Sequence, residues 1–112
     1  MIGIDGLIRM IAGLQEAELR RWIDERWVRP EPLSGGYVFR EVDVARVRLI
    51  VELRRELAID EEAMPVVLQL LDQVYALRRR LRAMSEAIDA QPDAVRRAVQ
   101  ARLVRDAGDE ED

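Results

Sequence analysis

The stretch MPVVLQLLDQVYALRRRLRAMSEAI, residues 64–88, decides how the chain is organised, because its apolar residues keep a heptad period from end to end. Val67, Leu70, Val74, Leu77, Leu81, Met84 and Ile88 alternate steps of three and four. That spacing lays one narrow stripe along a helix and lets two helices supercoil with interlocking side chains. A second stripe, Leu68, Leu71 and Tyr75, lies on a neighbouring face and stops where Arg78, Arg79 and Arg80 begin. The pattern predicts that the first half of this helix is buried on two sides against the residues before it, while the second half projects and pairs with another copy. Seven seam positions exceed what so short a chain covers by itself, so the expected assembly is a homodimer; the alternative is one long helix of a monomeric bundle.

Composition narrows the chemistry. At 112 residues the chain holds one small domain plus an appendage, and all 18 of its basic residues are Arg; Lys, His, Cys, Thr and Asn are absent. Without Cys or His there is no disulfide frame, thiol site or conventional zinc site. Ser34 and Ser85 are the only hydroxyl residues besides the tyrosines, and no histidine exists to activate either. Asp60, Glu61 and Glu62 stand in a row at a helix start and do not converge on one point as ligands of a hard cation would. Gly35-Gly36 lacks the following Lys and helix of a phosphate-cradling loop. The expectation is a protein that is not an enzyme, holds no cofactor or metal, and works by binding through a surface.

Charge is spread unevenly. Residues 1–60 carry 10 Arg against 11 acids, residues 61–105 carry 8 against 6, and residues 106–112 carry five acids and no base. The first sixty residues therefore have no basic surplus from which to build a duplex-gripping face, which argues against DNA as the partner. The N-terminal MIGIDGLIRMIAG is interrupted by Asp5 and Arg9 and is too short for a signal peptide or membrane span. The expected setting is cytoplasmic, with no membrane contact.

Working outward toward the N-terminus, Ile4, Leu7, Ile8 and Ile11 recur at helical spacing and predict a first helix over about 5–12, broken at Gly13. A second helix follows over about 16–25, with Leu19, Trp22 and Ile23 inward and Glu16 and Glu18 in the first turn, where the helix dipole favours acids. Helix, glycine turn and helix is the spacing of a helix-turn-helix. Pro30, Pro32, Gly35 and Gly36 then forbid helix, and Gly35-Gly36 between short apolar runs predicts a tight hairpin, a two-stranded wing. Its Trp27, Val28, Tyr37 and Phe39 are expected to cover the open side of the first two helices as core. A third helix over about 41–57 turns Val47, Ile50, Leu53 and Leu57 inward and shows solvent Arg46, Arg48, Glu52, Arg54, Arg55 and Glu56. Asp60 suits an N-cap for the long helix, and Pro65 leaves two possibilities, a start near Met64 or a kink. Beyond Ile88, Pro92 fits the first position of a short helix with a thin stripe of Val95, Val99 and Leu103. The division so read is residues 1–60, a winged helix-turn-helix domain; 61–90, a coiled-coil helix; 91–105, a short helix; and 106–112, a disordered acidic tail.

This order of parts resembles the MerR-like winged helix-turn-helix proteins from about Gly13 to Ile88. The resemblance rests on Gly13-Leu14, the run Glu18-Leu19-Arg20-Arg21-Trp22, Arg29-Pro30, the wing Gly36-Tyr37-Val38-Phe39, Asp43 and the long closing helix. It implies a mainly α fold with a small wing and a C-terminal dimerisation helix, and it favours an antiparallel dimer. DNA-reading members have Thr-Leu-Arg-Tyr-Tyr in the second helix and Gly-Tyr-Arg in the wing. Here Glu18 stands for the Thr and Val38 for the wing Arg, which removes phosphate contacts and adds a repulsive charge. The wing together with Leu53-Arg54-Arg55-Glu56-Leu57-Ala58-Ile59-Asp60 and Val66-Val67-Leu68-Gln69-Leu70-Leu71-Asp72 is similar to CbpM, the chaperone-modulator family. That resemblance implies a protein that binds the J-domain of a DnaJ-like, CbpA-type co-chaperone and inhibits its stimulation of Hsp70. Because J-domains present a basic helix, it points to the acids Glu16, Glu18 and Asp24 on the second helix, or Asp60, Glu61 and Glu62 at the following corner, as the docking surface. The alternative is a MerR-like DNA-binding transcriptional regulator.

Overall fold

The computed structural model describes residues 2–110, which form α1 (Ile4–Met10), α2 (Glu16–Asp24), β1 (Glu31–Leu33), β2 (Gly36–Val38), α3 (Glu41–Glu56), α4 (Met64–Asp89) and α5 (Asp93–Glu110). The chain divides into two compact units, Met1–Gln69 and Leu70–Asp112. Among the described residues, no helix is long and apolar enough to cross a membrane.

In the first unit the apolar periodicity becomes a closed core. Leu7, Leu14, Leu19, Trp22, Val28, Phe39, Val47, Ile50, Met64 and Leu68 are all buried. Between α1 and α2 the backbone turns at Gly13, whose φ of +81° lies in the left-handed region that a side chain disfavours. No glycine follows α2, yet the helix still ends in a Schellman motif. Arg26 takes a φ of 63°, its N–H donates to the Ile23 carbonyl at 3.0 Å, and the Trp27 N–H donates to the Trp22 carbonyl at 2.9 Å. Trp27 is thereby folded back beside Trp22.

The wing is antiparallel, with Glu31 opposite Val38 and Leu33 opposite Gly36. This register corrects the expected turn: the two loop residues are Ser34 and Gly35, with φ of 27° and 81°, and Gly36 belongs to the second strand. A two-residue hairpin loop of this hand needs positive φ at both central positions, a need that Ser34-Gly35 meets here. Pro32 is accommodated because a two-stranded ribbon has free edges that need no N–H. Phe39, just past β2, donates its N–H to the Ile2 carbonyl at 2.8 Å and is buried, while Tyr37 is only half-buried.

At the start of α3 the buried Asp43 carboxylate accepts the Arg40 backbone N–H at 2.9 Å and the Arg40 Nε at 3.1 Å, the carboxylate half of a capping box. The hydrogen bond and the charge of Asp43 raise the Arg40 pKa above its ordinary value. Val47, Ile50 and Leu53 point inward, joined by Val51. Leu57 does not: it is 65% exposed, because the helix has ended at Glu56 and Ala58, with a φ of 52°, turns the chain away. The outer face is also less solvated than expected. Arg46 donates from Nε to the Trp27 carbonyl at 2.9 Å, and Arg54 is half-buried.

The two possibilities at Pro65 reduce to one. The Asp60 carboxylate accepts the Ala63 N–H at 2.8 Å, capping a turn over residues 61–63, and α4 begins at Met64. Pro65 lies in its first turn, where an N–H has no intrahelical partner to lose. Met64 and Leu68 are buried, but the expected two-sided burial ends there. Leu71 is half-buried and Tyr75 is 44% exposed.

In the second unit, Leu70, Val74, Leu77, Leu81 and Met84 are all exposed large apolar side chains, with Leu81 at 64%. Pro92 immediately precedes α5 rather than opening it, its carbonyl accepting the Arg96 N–H at 3.0 Å. Asp93 in the first turn pairs with Arg96 at 2.8 Å. The helix runs on to Glu110, past the expected end at 105 and through positions assigned to a disordered tail. Residues 94–107 are rich in Ala, Arg, Val and Leu with no proline, and the lone Gly108 costs only about 1 kcal/mol. Residues 111 and 112 lie outside the described residues.

Candidate functional site

Two of the acidic patches meet in space. Arg21, Asp24 and Glu25 share a face at the C-terminal end of α2, following the i, i+3, i+4 rule, and Glu61, Glu62 and Pro65 face them from the turn entering α4. With Trp22 and Trp27 they line one groove of about 360 Å³. Both tryptophans are buried as core, so the groove has an apolar floor and a charged rim. Four carboxylates and one guanidinium make that rim negative. The C-terminal end of α2 and the N-terminal end of α4 meet at this groove with opposite partial charges, so the side chains set its sign.

Arg21 spans the groove. Its Nη2 donates to the Glu61 carboxylate, 40 positions away in sequence, and both side chains stay about half exposed, at 51% and 54%. An exposed pair of this kind contributes about 0.2–1 kcal/mol, so it is a weak tie.

The six acids expected to dock a partner therefore divide. Asp24, Glu61 and Glu62 come together in the groove. Glu16 lies outside it, 3.7 Å from Arg20. Asp60 is occupied as a cap. Glu18 is the clearest departure: it forms an ion pair with Arg54 in which the side chains are only 17% and 27% exposed. Arg54 also lies over the Trp22 ring, 5.5 Å from its centroid, and its Nη2 donates to the Gly13 carbonyl at 3.5 Å. Glu18 thus ties α2 to α3 instead of presenting a free charge to a phosphate. The signal was present, since Glu18 and Trp22 are four apart and share the inward edge of α2. Arg21, Trp22, Glu25, Trp27 and Pro65 were not foreseen as a site, because nothing local brings residues 21–27 beside residues 61–65.

Two further arginines of the first unit also sit beside carboxylates. Arg20 is beside Glu16, and Arg40, the basic residue at the end of the wing, is held by Asp43 and by the Arg29 carbonyl at 3.4 Å. Val38 is half-buried.

Comparison with curated proteins and with solved structures finds no match. The family model described as MerR HTH family regulatory protein matches residues 3–86. That span takes in the helix pair, the wing, α3 and nearly all of α4, and the chain belongs to the MerR helix-turn-helix family of regulatory proteins.

Proposed function

We propose that this member of the family is a cytoplasmic chaperone modulator, which binds the J-domain of a DnaJ-like co-chaperone and so inhibits its stimulation of Hsp70. The observation that carries the reading is the groove: Asp24, Glu25, Glu61 and Glu62 form one acidic rim over a tryptophan floor, complementary to a basic amphipathic helix. The similarity of the wing and of residues 53–60 and 66–72 to the CbpM family supports the choice of partner. The exposed seam of α4 supports a second element of the reading, that the protein acts as a homodimer through Val74, Leu77, Leu81 and Met84. The family match favours a second reading, a DNA-binding transcriptional regulator.

Calorimetric titration with a purified J-domain tests the reading. The unmodified chain is expected to bind with an affinity that falls as salt rises, and Asp24→Arg combined with Glu62→Arg is expected to weaken binding roughly tenfold or more. J-domain binding unchanged by this double reversal would remove the groove from the account.

A further inference from the structure

We propose that Arg21 is a resident competitor for the groove, its guanidinium holding on Glu61 the place that a basic side chain of the partner takes in the bound state. The inference rests on the J-domain reading for the partner's identity, while the exchange itself requires only a basic helix. The site is more than a set of carboxylates. Trp22, Trp27 and Pro65 supply an apolar wall beside Glu61 and Glu62, and a guanidinium already sits between the two sides. A lysine or arginine carries an apolar stem and a charged head, which matches a groove with an apolar floor and an acidic rim. Arg21 enters from α2 and Glu61 from the turn before α4, so their bridge crosses the groove from wall to wall. Because both side chains are half exposed, the bridge is screened by solvent and exchanges readily. On binding, the partner's cation takes Glu61 and Arg21 swings into water, where it meets no unsatisfied burial.

The test uses the full chain and a synthetic helical peptide bearing arginines at i and i+4 along one face, followed by calorimetry at low salt. Arg21→Gln is expected to bind this peptide more tightly than the unmodified chain, by about 1.5-fold to fivefold, the range set by the loss of one exposed ion pair. Arg20→Gln removes the same charge from the same helix, but its partner Glu16 lies outside the groove, so its affinity is expected to stay near that of the unmodified chain. Adding Glu61→Gln to Arg21→Gln is expected to abolish the gain. Equal tightening by Arg20→Gln would mean that net charge alone is responsible and would overturn the inference, as would an Arg21→Gln variant that binds no tighter. Either result, with the peptide still bound, leaves the J-domain reading standing; a peptide that binds neither form sinks the inference, and the J-domain titration then decides the reading separately.

Discussion

Phe39 and Ala58 show how single residues set the shape of the first unit. Phe39 is buried and hydrogen-bonded through its backbone to Ile2, so it fastens the wing to the core. Phe39→Ala should cost about 3–5 kcal/mol, read from denaturant unfolding; an unchanged midpoint would mean that the aromatic ring is not a core element. Ala58 takes a φ of 52°, a conformation that a β-carbon makes costly and glycine does not. Ala58→Gly should therefore stabilise the protein by about 0.5–1 kcal/mol, and a loss of stability would show that the turn does not hold this geometry. Arg54 illustrates what one-dimensional spacing conceals at this scale. It lies among charged residues on what reads as a solvated face, and only the folded chain sets it against Glu18, Trp22 and the Gly13 carbonyl.

At the scale of elements, apolar periodicity located the helices of the first unit, because burial of one face stabilises each short helix, while proline and glycine marked the wing. It served less well where an element ends by tertiary means. The Schellman turn at Arg26 and the stop at Leu57 use no glycine, so neither carries the usual local marker. The α4 seam was readable from spacing alone, and its flanks give it a distinctive electrostatic character. Arg78 and Arg80 occupy the positions on either side of Leu77 and Leu81, and no acid takes a flanking position anywhere along the seam. Two copies paired antiparallel with these stretches opposite one another would bring the arginines together. Self-association through α4 should consequently strengthen as salt rises from low to physiological concentration, the opposite of J-domain binding, when followed by analytical ultracentrifugation. Replacing Leu77 and Leu81 by Glu should leave a monomer. Sedimentation of that variant as an unchanged dimer would show that another surface pairs the chains.

For the whole molecule, the proposed function separates a protein-binding member of the family from a DNA-reading one by charge. The helix that would read a duplex carries Arg20 and Arg21 against Glu16, Glu18, Asp24 and Glu25, and both of its arginines lie beside carboxylates of the same chain. Duplex affinity depends on neutralised phosphates, and two arginines among four acids offer no net positive charge for it. Of these carboxylates, Asp24 and Glu25 gather with Glu61 and Glu62 in the groove proposed to receive a basic helix. Composition foretold the missing basic surplus; the joining of two patches 40 residues apart depended on how α2 and the turn before α4 meet in the core. The most direct test is a competition at physiological salt in which the unmodified chain is offered a purified J-domain and a fluorescent palindromic duplex together. A complex with the J-domain and no measurable duplex binding is expected, whereas nanomolar duplex binding that the J-domain fails to displace would contradict the proposed function.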